Sequence, residues 1–86
     1  MVSRRMIVTN AEGLHLRSAG KFVEKMNRFE CSVTILFKDA RVDGKSLLNI
    51  MMACIKCGAE IEIECDGADE DEALEAAVHV IEKELM

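Results

Sequence analysis

Gly13-Leu14-His15-Leu16-Arg17, continued to Val23 as Ser-Ala-Gly-Lys-Phe-Val, is the stretch that decides how the rest of the chain is interpreted. A glycine turn and a histidine come first, and the spacing of Ala19, Phe22 and Val23 predicts a helix that starts directly after them. The first N–H groups of a helix lack intrahelical partners and carry a partial positive charge. Such a terminus binds anions, phosphate above all.

His15 lies at this predicted terminus. The positive end of a helix disfavours a protonated imidazole, so we expect a neutral, nucleophilic ring. Arg17 follows two residues later, and its planar guanidinium suits phosphate oxygens. Because a nucleophile and an anion-binding group lie within three residues, the sequence predicts a histidine that carries a phosphoryl group.

The composition predicts a single domain over residues 1–86 with an aliphatic core, because half of the residues are hydrophobic and only three are aromatic. No apolar run approaches the roughly 20 residues of a membrane helix. Residues 1–6 carry charge but no apolar segment follows them, so a signal peptide is not expected. We expect a cytoplasmic protein without membrane insertion.

Charge is unevenly distributed along the chain. Residues 1–45 contain nine Lys/Arg against five Asp/Glu, whereas residues 46–86 contain two against eleven. His15 lies in the basic half, and a positive surrounding charge favours a site that binds anions. The basic residues of this half are scattered and aromatic stacking residues are nearly absent, so nucleic-acid binding is not expected.

Hydrophobic periodicity predicts the order β-α-β-β-α-β-α, an α+β fold with a four-stranded antiparallel sheet and three helices on one face. The predicted strands cover residues 4–9, 31–37, 40–42 and 60–66, and the first two helices cover residues 16–28 and 47–54. We expect Gly58 to end the second helix in a left-handed conformation. Asp69 and Glu72 predict a capping box for the third helix, and its expected core stripe is Leu74, Ala77, Val78, Ile81 and Leu85, with His79 on the surface.

The second helix is apolar on almost every side. Ser46 is a good N-cap for it, and the residues that follow include Leu47, Leu48, Ile50, Met51 and Met52. A helix this short cannot bury all of these side chains, so we predict an exposed patch that docks partners. A fully buried core helix is the alternative.

Four cysteines occur, at positions 31, 54, 57 and 65. Without a signal peptide they are expected to be reduced thiols. Cys54 and Cys57 have metal or redox spacing, but one such pair is weak evidence, and small apolar filler residues are the favoured interpretation. Cys31 and Cys65 could be neighbours in the sheet. We expect neither a metal nor a cofactor.

Three segments carry a resemblance that covers essentially the whole chain: Gly13-Leu14-His15-Leu16-Arg17, Gly44-Lys45-Ser46-Leu47-Leu48 and Gly67-Ala68-Asp69-Glu70. They resemble the HPr family, the histidine-containing phosphocarriers of the bacterial phosphoenolpyruvate-dependent phosphotransferase system. The resemblance implies an open-faced β-sandwich. It also implies that His15 accepts phosphate from enzyme I and passes it to enzyme IIA domains, while Arg17 helps to hold the phosphoryl group.

The resemblance further implies that Ser46 is a regulatory site for an ATP-dependent HPr kinase/phosphorylase, with regulatory proteins as further partners. The family's partner-binding surface corresponds here to Leu16, Gly20, Lys45, Leu47, Leu48 and Met51. Such a protein depends on partner enzymes for its chemistry and is not itself an enzyme. A small carrier that exposes one face to several partners is expected to be a monomer.

The sequence departs from the family at several positions beside His15. Ser18 replaces the usual proline, which predicts a looser turn, and Leu16 adds bulk beside the ring. Glu24 and Asn27 replace lysines that many relatives carry. These differences leave a second hypothesis open, a regulatory HPr-like paralogue that acts through Ser46. A third is a metal or redox module built on the two closely spaced cysteines.

Overall fold

The computed structural model describes residues 1–84. Its elements follow the predicted order: β1 (Val2–Ile7), α1 (Leu16–Met26), β2 (Ser32–Phe37), β3 (Ala40–Asp43), α2 (Leu47–Ala53), β4 (Glu60–Asp66) and α3 (Glu70–His79). A π-helical segment, Val80–Glu84, continues α3. None of the helices in residues 1–84 is long and apolar enough to cross a membrane.

The four strands form one antiparallel sheet in the order β1-β4-β2-β3. Alternation along β4 explains its two faces, because successive side chains of a strand point to opposite sides. Ile61, Ile63 and Cys65 are buried, whereas the glutamates between them lie on the open side of the sheet. Arg41 pairs there with Glu64 at 3.3 Å. The fold is therefore the predicted open-faced β-sandwich.

The core lies between this sheet and the three helices. Phe22 and Met26 of α1 are fully buried, together with Ile35 of β2 and Ile81 of the π-helical segment. The helix α1 packs against both α2 and α3, so its buried face is held on two sides. This packing fixes the position of the α1 N-terminus relative to the sheet.

Several predicted boundaries were wrong by a few residues. The strand β1 covers residues 2–7, although Val8 beyond it is still buried. The helix α1 ends at Met26 because the Asn27 side chain donates a hydrogen bond to the Val23 carbonyl at 2.8 Å and caps the last turn. Gly58 does not end α2: Cys54 adopts the left-handed conformation, with φ of 54°, directly after the last helical residue.

The predicted capping box of α3 was also wrong. The Asp69 side chain makes no capping hydrogen bond to its own helix. Its carboxylate instead accepts backbone hydrogen bonds from Glu30 and Cys31, at 2.8 and 2.9 Å, and so connects α3 to the start of β2. These hydrogen bonds, the one from Glu30 above all, lower the pKa of Asp69 below its usual value.

The other predictions for the core are largely confirmed. Ala77, Val78 and Ile81 are buried, Leu74 is half-buried, and Leu85 lies outside the described residues. Cys31 and Cys65 are buried neighbours, and burial, with the nearby Cys31, raises the pKa of the Cys65 thiol to about 12. A thiol held protonated in this way is an inert part of the core.

Candidate functional site

A tight turn before α1 positions the candidate site. Asn10 is buried, and its side-chain amide donates to the Gly13 carbonyl at 2.6 Å. Gly13 has φ of +67°, and a Cβ atom there would come within 2.6 Å of the Ile55 carbonyl. Leu14 N–H donates to that same carbonyl at 2.9 Å. Only glycine fits this close approach, so the turn is fixed against the segment that follows α2.

His15 is the N-cap of α1, as predicted, with an extended backbone. Its ring nitrogen Nδ1 accepts a hydrogen bond from Arg17 N–H at 3.3 Å. The first intrahelical hydrogen bond runs from Ala19 N–H to the His15 carbonyl at 2.8 Å. The backbone N–H groups of the three residues before Ala19 therefore have no carbonyl partner within the helix. No acidic residue lies in the first turn of α1. The positive end of this helix is therefore available to an external anion.

Ser18 strengthens the turn instead of loosening it. The side chain is buried, and its Oγ accepts a hydrogen bond from His15 N–H at 3.0 Å. The same hydroxyl lies 3.0 Å from the Gly13 carbonyl, to which it can donate. A proline could make neither contact. The expectation of a looser turn considered only the backbone of Ser18, whereas its hydroxyl connects both sides of the turn.

Glu12 supplies a contact that the predicted site lacked. Its Oε2 lies 3.1 Å from Nε2 of His15, within ion-pair distance. Because Nδ1 already accepts from Arg17 N–H, the neutral ring carries its proton on Nε2, where it can donate to this carboxylate. The sequence signal was the three-residue separation between Glu12 and His15 across a glycine turn.

The charged groups around His15 line one surface cavity. Arg17 and Lys21 of α1 line it, as does Glu84 of the π-helical segment. Glu84 Oε2 lies 3.0 Å from Nδ1 of His79, the histidine expected on the surface. The structure thus brings together the predicted pair His15 and Arg17, and adds a second cation from the next helical turn.

Ser46 caps α2, also as predicted. Its Oγ accepts a hydrogen bond from Asn49 N–H at 3.2 Å. The Asn49 side-chain amide donates to the same oxygen at 3.1 Å. This serine is half-buried, and the first exposed apolar residue of α2, Leu48, follows two residues later.

An exposed apolar patch confirms that α2 is not a fully buried core helix. We call Leu16, Leu48 and Met52 the apolar patch, because these side chains are 64%, 68% and 73% exposed. Leu47 and Met51 are half-buried and pack against the core. The predicted docking set omitted Met52, the most exposed member. A helical pattern with apolar residues on every side identified the helix but not its outward face.

Gly20 and Lys45 have different surroundings from the apolar patch. Gly20 is half-buried in α1, and the space above its Cα is empty. The Lys45 ammonium donates to the Phe29 carbonyl at 2.6 Å, and the Lys45 carbonyl accepts from the Asn27 amide at 3.2 Å. These bonds connect the end of α1 to the loop before Ser46. In this conformation the ammonium group of Lys45 is engaged within the chain.

The closely spaced cysteines show no metal centre within the part of the chain that the structure describes. No group of three or more His, Cys, Asp or Glu residues in residues 1–84 could hold a metal ion. Cys54 and Cys57 are exposed free thiols, near the backbone carbonyls of Met51 and Thr9 respectively, at 3.8 Å. Cys54 has a structural role, because it ends α2.

Comparison with known proteins gives consistent results. The model of the family described as PTS HPr component phosphorylation site matches residues 2–83. The phosphocarrier protein HPr of Neisseria meningitidis is 38% identical over 81 residues, which are 94% of this chain and 91% of the relative. The HPr-like protein Crh of Halalkalibacterium halodurans is 37% identical over 84 residues, 98% of this chain and all of the relative. The crystal structure of the phosphocarrier protein HPr from Bacillus anthracis has a TM-score of 0.90 and 36% identity, and covers 94% of this chain and 96% of that one.

The open-faced β-sandwich and the similarity to these relatives place the chain in a class of small phosphocarrier proteins. Within that class, the chain belongs to the HPr family of the phosphotransferase system.

Proposed function

We propose that this protein accepts a phosphoryl group on His15 from enzyme I, which takes it from phosphoenolpyruvate, and passes the group to enzyme IIA domains. The observation that carries the proposal is the hydrogen bond from Arg17 N–H to His15 Nδ1 at the open start of α1. A nucleophilic lone pair and an anion-binding helix terminus meet there. In this scheme the protein is a carrier whose reactions are catalysed by its partners.

Nδ1 is the nitrogen that takes the phosphoryl group. It is the unprotonated nitrogen of the neutral ring, whereas the other nitrogen faces the Glu12 carboxylate, which would repel an incoming phosphate. Once Nδ1 binds phosphorus, Arg17 N–H can donate to a phosphate oxygen instead. The guanidinium of Arg17 stabilises the same charge. Because the site is exposed, these groups orient the phosphoryl group without enclosing it.

The apolar patch is the proposed docking surface for enzyme I and enzyme IIA. It contains Leu16, which follows the phosphoryl acceptor directly, and it extends along α2 to Met52. Leu47 and Met51 border it, and the half-buried Gly20 leaves open space on α1. Exposed Leu and Met side chains adapt to more than one partner. A monomeric protein in the cytoplasm would keep this surface free.

Ser46 is the proposed regulatory site. A phosphoserine there would add a charge of about −1.5 to −2 at the start of α2. Leu48 lies two residues beyond it and is exposed. The added charge would therefore repel an acidic partner from the apolar patch without any change of fold. An HPr kinase/phosphorylase would install and remove this group, and regulatory proteins would recognise it.

A regulatory paralogue that acts through Ser46 is the second candidate function. The similarity to an HPr-like protein favours considering it, as does the presence of Leu16, exposed beside the reactive ring. In this alternative His15 accepts phosphate slowly or not at all, and binding of regulatory proteins replaces sugar transport.

Phosphorylation by enzyme I and phosphoenolpyruvate tests these two functions. We expect the wild type to gain one acid-labile phosphate by intact mass, and His15→Ala to gain none. The control Ser46→Ala should be labelled like the wild type. Folding of each variant is checked by circular dichroism. Absence of labelling by enzyme I, together with an acid-stable phosphate on Ser46 from kinase and ATP, would favour the regulatory function and reject the carrier.

A further inference from the structure

Glu12 is the charged group in direct contact with the reactive ring. Its Oε2 lies 3.1 Å from Nε2 of His15, while its side chain remains 75% exposed. Two contacts fix the backbone between these two residues. The buried Asn10 donates to the Gly13 carbonyl, and Gly13 lies close to the backbone of the segment that follows α2. The turn thus fixes the backbone from which the Glu12 carboxylate reaches the ring.

We propose that Glu12 is a positioning residue that keeps the proton on Nε2 while Nδ1 carries the phosphoryl group, and so keeps that group ready for transfer. This inference rests on the proposed phosphorylation of His15. In this proposal Glu12 helps to set the lifetime of the phosphoryl group on His15.

The proton on Nε2 matters in both directions of transfer. When Nδ1 attacks phosphorus, the N–P bond forms, the bond to the donor breaks, and the ring becomes a cation that retains the Nε2 proton. When an acceptor or water attacks phosphorus, the N–P bond breaks and its electron pair returns to Nδ1, which releases a neutral imidazole. If Nε2 had lost its proton, an imidazolate anion would have to leave, and an anion of that kind is a much poorer leaving group. A carboxylate beside Nε2 favours the protonated ring.

The other charges around the ring do not replace Glu12. Arg17 and Lys21 of α1 line the same cavity; as cations they stabilise phosphate oxygens and disfavour a cationic ring. Glu84 of the π-helical segment also lines the cavity, but its carboxylate lies 3.0 Å from His79. Within residues 1–84, the contact at ion-pair distance from His15 is the one made by Glu12.

The pH dependence of phosphohistidine hydrolysis tests this role. Wild type, Glu12→Gln and the matched control Glu84→Gln are phosphorylated with phosphoramidate, a small-molecule phosphoryl donor, and the loss of phosphate from the peptide that contains His15 is followed by mass spectrometry between pH 5 and pH 9. Chromatography of an alkaline digest identifies the phosphorylated nitrogen. As the pH rises, rapid hydrolysis of the phosphohistidine should be lost at a lower pH in Glu12→Gln than in the wild type, because the variant lacks the carboxylate that favours the Nε2 proton. Between pH 7 and 8 the variant should hydrolyse about twofold to fivefold more slowly, as an exposed ion pair allows. Glu84→Gln should follow the wild-type profile.

Superimposable profiles for wild type and Glu12→Gln would overturn the proposal, as would an equal shift in Glu84→Gln, which would indicate a general field in the cavity. A phosphoryl group found on Nε2 of His15 would overturn it too. Failure of enzyme I to phosphorylate the wild type is a separate result. It would reject the carrier function while the hydrolysis profiles still decide the role of Glu12.

Discussion

The helices α1 and α3 both begin with backbone N–H groups that attract negative charge, but only α3 has carboxylates in its first turn. The first turn of α3 contains Glu70, Asp71 and Glu72, and the Glu70 carboxylate accepts a hydrogen bond from Gly67 N–H at 3.1 Å. This hydrogen bond lowers the pKa of Glu70. The first turn of α1 contains no acid, and its cap is the basic ring of His15. A helix terminus is therefore open to an external anion where its first turn carries no carboxylate.

The side chains that hold the two helix starts in place also differ in charge. Asp69, before α3, uses its carboxylate to hold Glu30 and Cys31 at the start of β2. Ser18, in α1, uses a neutral hydroxyl to hold the turn around His15. A carboxylate at position 18 could accept from His15 N–H but could not donate to the Gly13 carbonyl, and its charge would repel a phosphoryl group. A neutral side chain provides the rigidity without the charge.

The largest effect is expected from breaking the turn before α1. Ser18→Ala removes the acceptor of His15 N–H, which is left without its partner, and one of the two donors to the Gly13 carbonyl, which keeps the Asn10 amide. We expect a loss of about 1–3 kcal/mol in the free energy of unfolding, measured by urea denaturation. Phosphorylation of His15 should also slow. The matched control is Ser3→Ala, at an exposed position of β1, where a change below about 0.5 kcal/mol is expected. Equal stability of Ser18→Ala and the wild type would show that the turn does not depend on this hydroxyl.

A smaller effect is expected from making α1 resemble α3. Leu16→Glu places a carboxylate in the first turn of α1 at an exposed position. We expect it to slow phosphorylation by enzyme I about twofold to fivefold, while the favourable interaction with the helix terminus raises the free energy of unfolding by about 0.3–1 kcal/mol. Leu16→Gln controls for the lost apolar side chain, so the charge effect is the difference between the two variants. A rate for Leu16→Glu no lower than that of Leu16→Gln would contradict the view that the open terminus needs to be free of acids.

The smallest effect is expected at Asp69, and it depends on pH. The folded state lowers the pKa of this carboxyl, so its contribution to stability is present above the unfolded pKa, about 3.9, and is lost as the pH falls through the folded value. Asp69→Asn imitates the protonated form. We expect a melting temperature a few degrees below that of the wild type at pH 7, and a difference that shrinks as the pH falls below the unfolded pKa and is lost below the folded one.

The control for this comparison is Asp71→Asn, which removes the same charge from an exposed position in the first turn of α3. Its melting temperature should change less at pH 7. If Asp69→Asn and the wild type differed by the same amount at every pH, the stabilising group would not be the ionised carboxylate. Phosphorylation of His15 should be unaffected by either variant, because Asp69 contacts the backbone of Glu30 and Cys31 and not the turn before α1.

Local patterns predicted the elements well because each depends on neighbouring residues. Alternation in residues 60–66 and the apolar spacing of α1 predicted a strand and a helix, and Ser46 and His15 predicted two helix starts, all of which the structure contains. Predictions failed where one residue had two available roles. Gly58 follows α2 closely enough to end it, yet Cys54 takes the left-handed position. Asp69 binds the backbone of the two residues before β2 instead of capping α3.

The sequence by itself determined the fold class, the element order and the position of His15 at the start of α1, because periodicity and capping act over a few residues. Only the tertiary structure decided which apolar side chains of α2 remain exposed, that Ser18 secures the turn, and that Glu12 faces His15. These features depend on how α1, α2 and the turn before α1 pack together. A single helix or turn, considered alone, does not specify that packing.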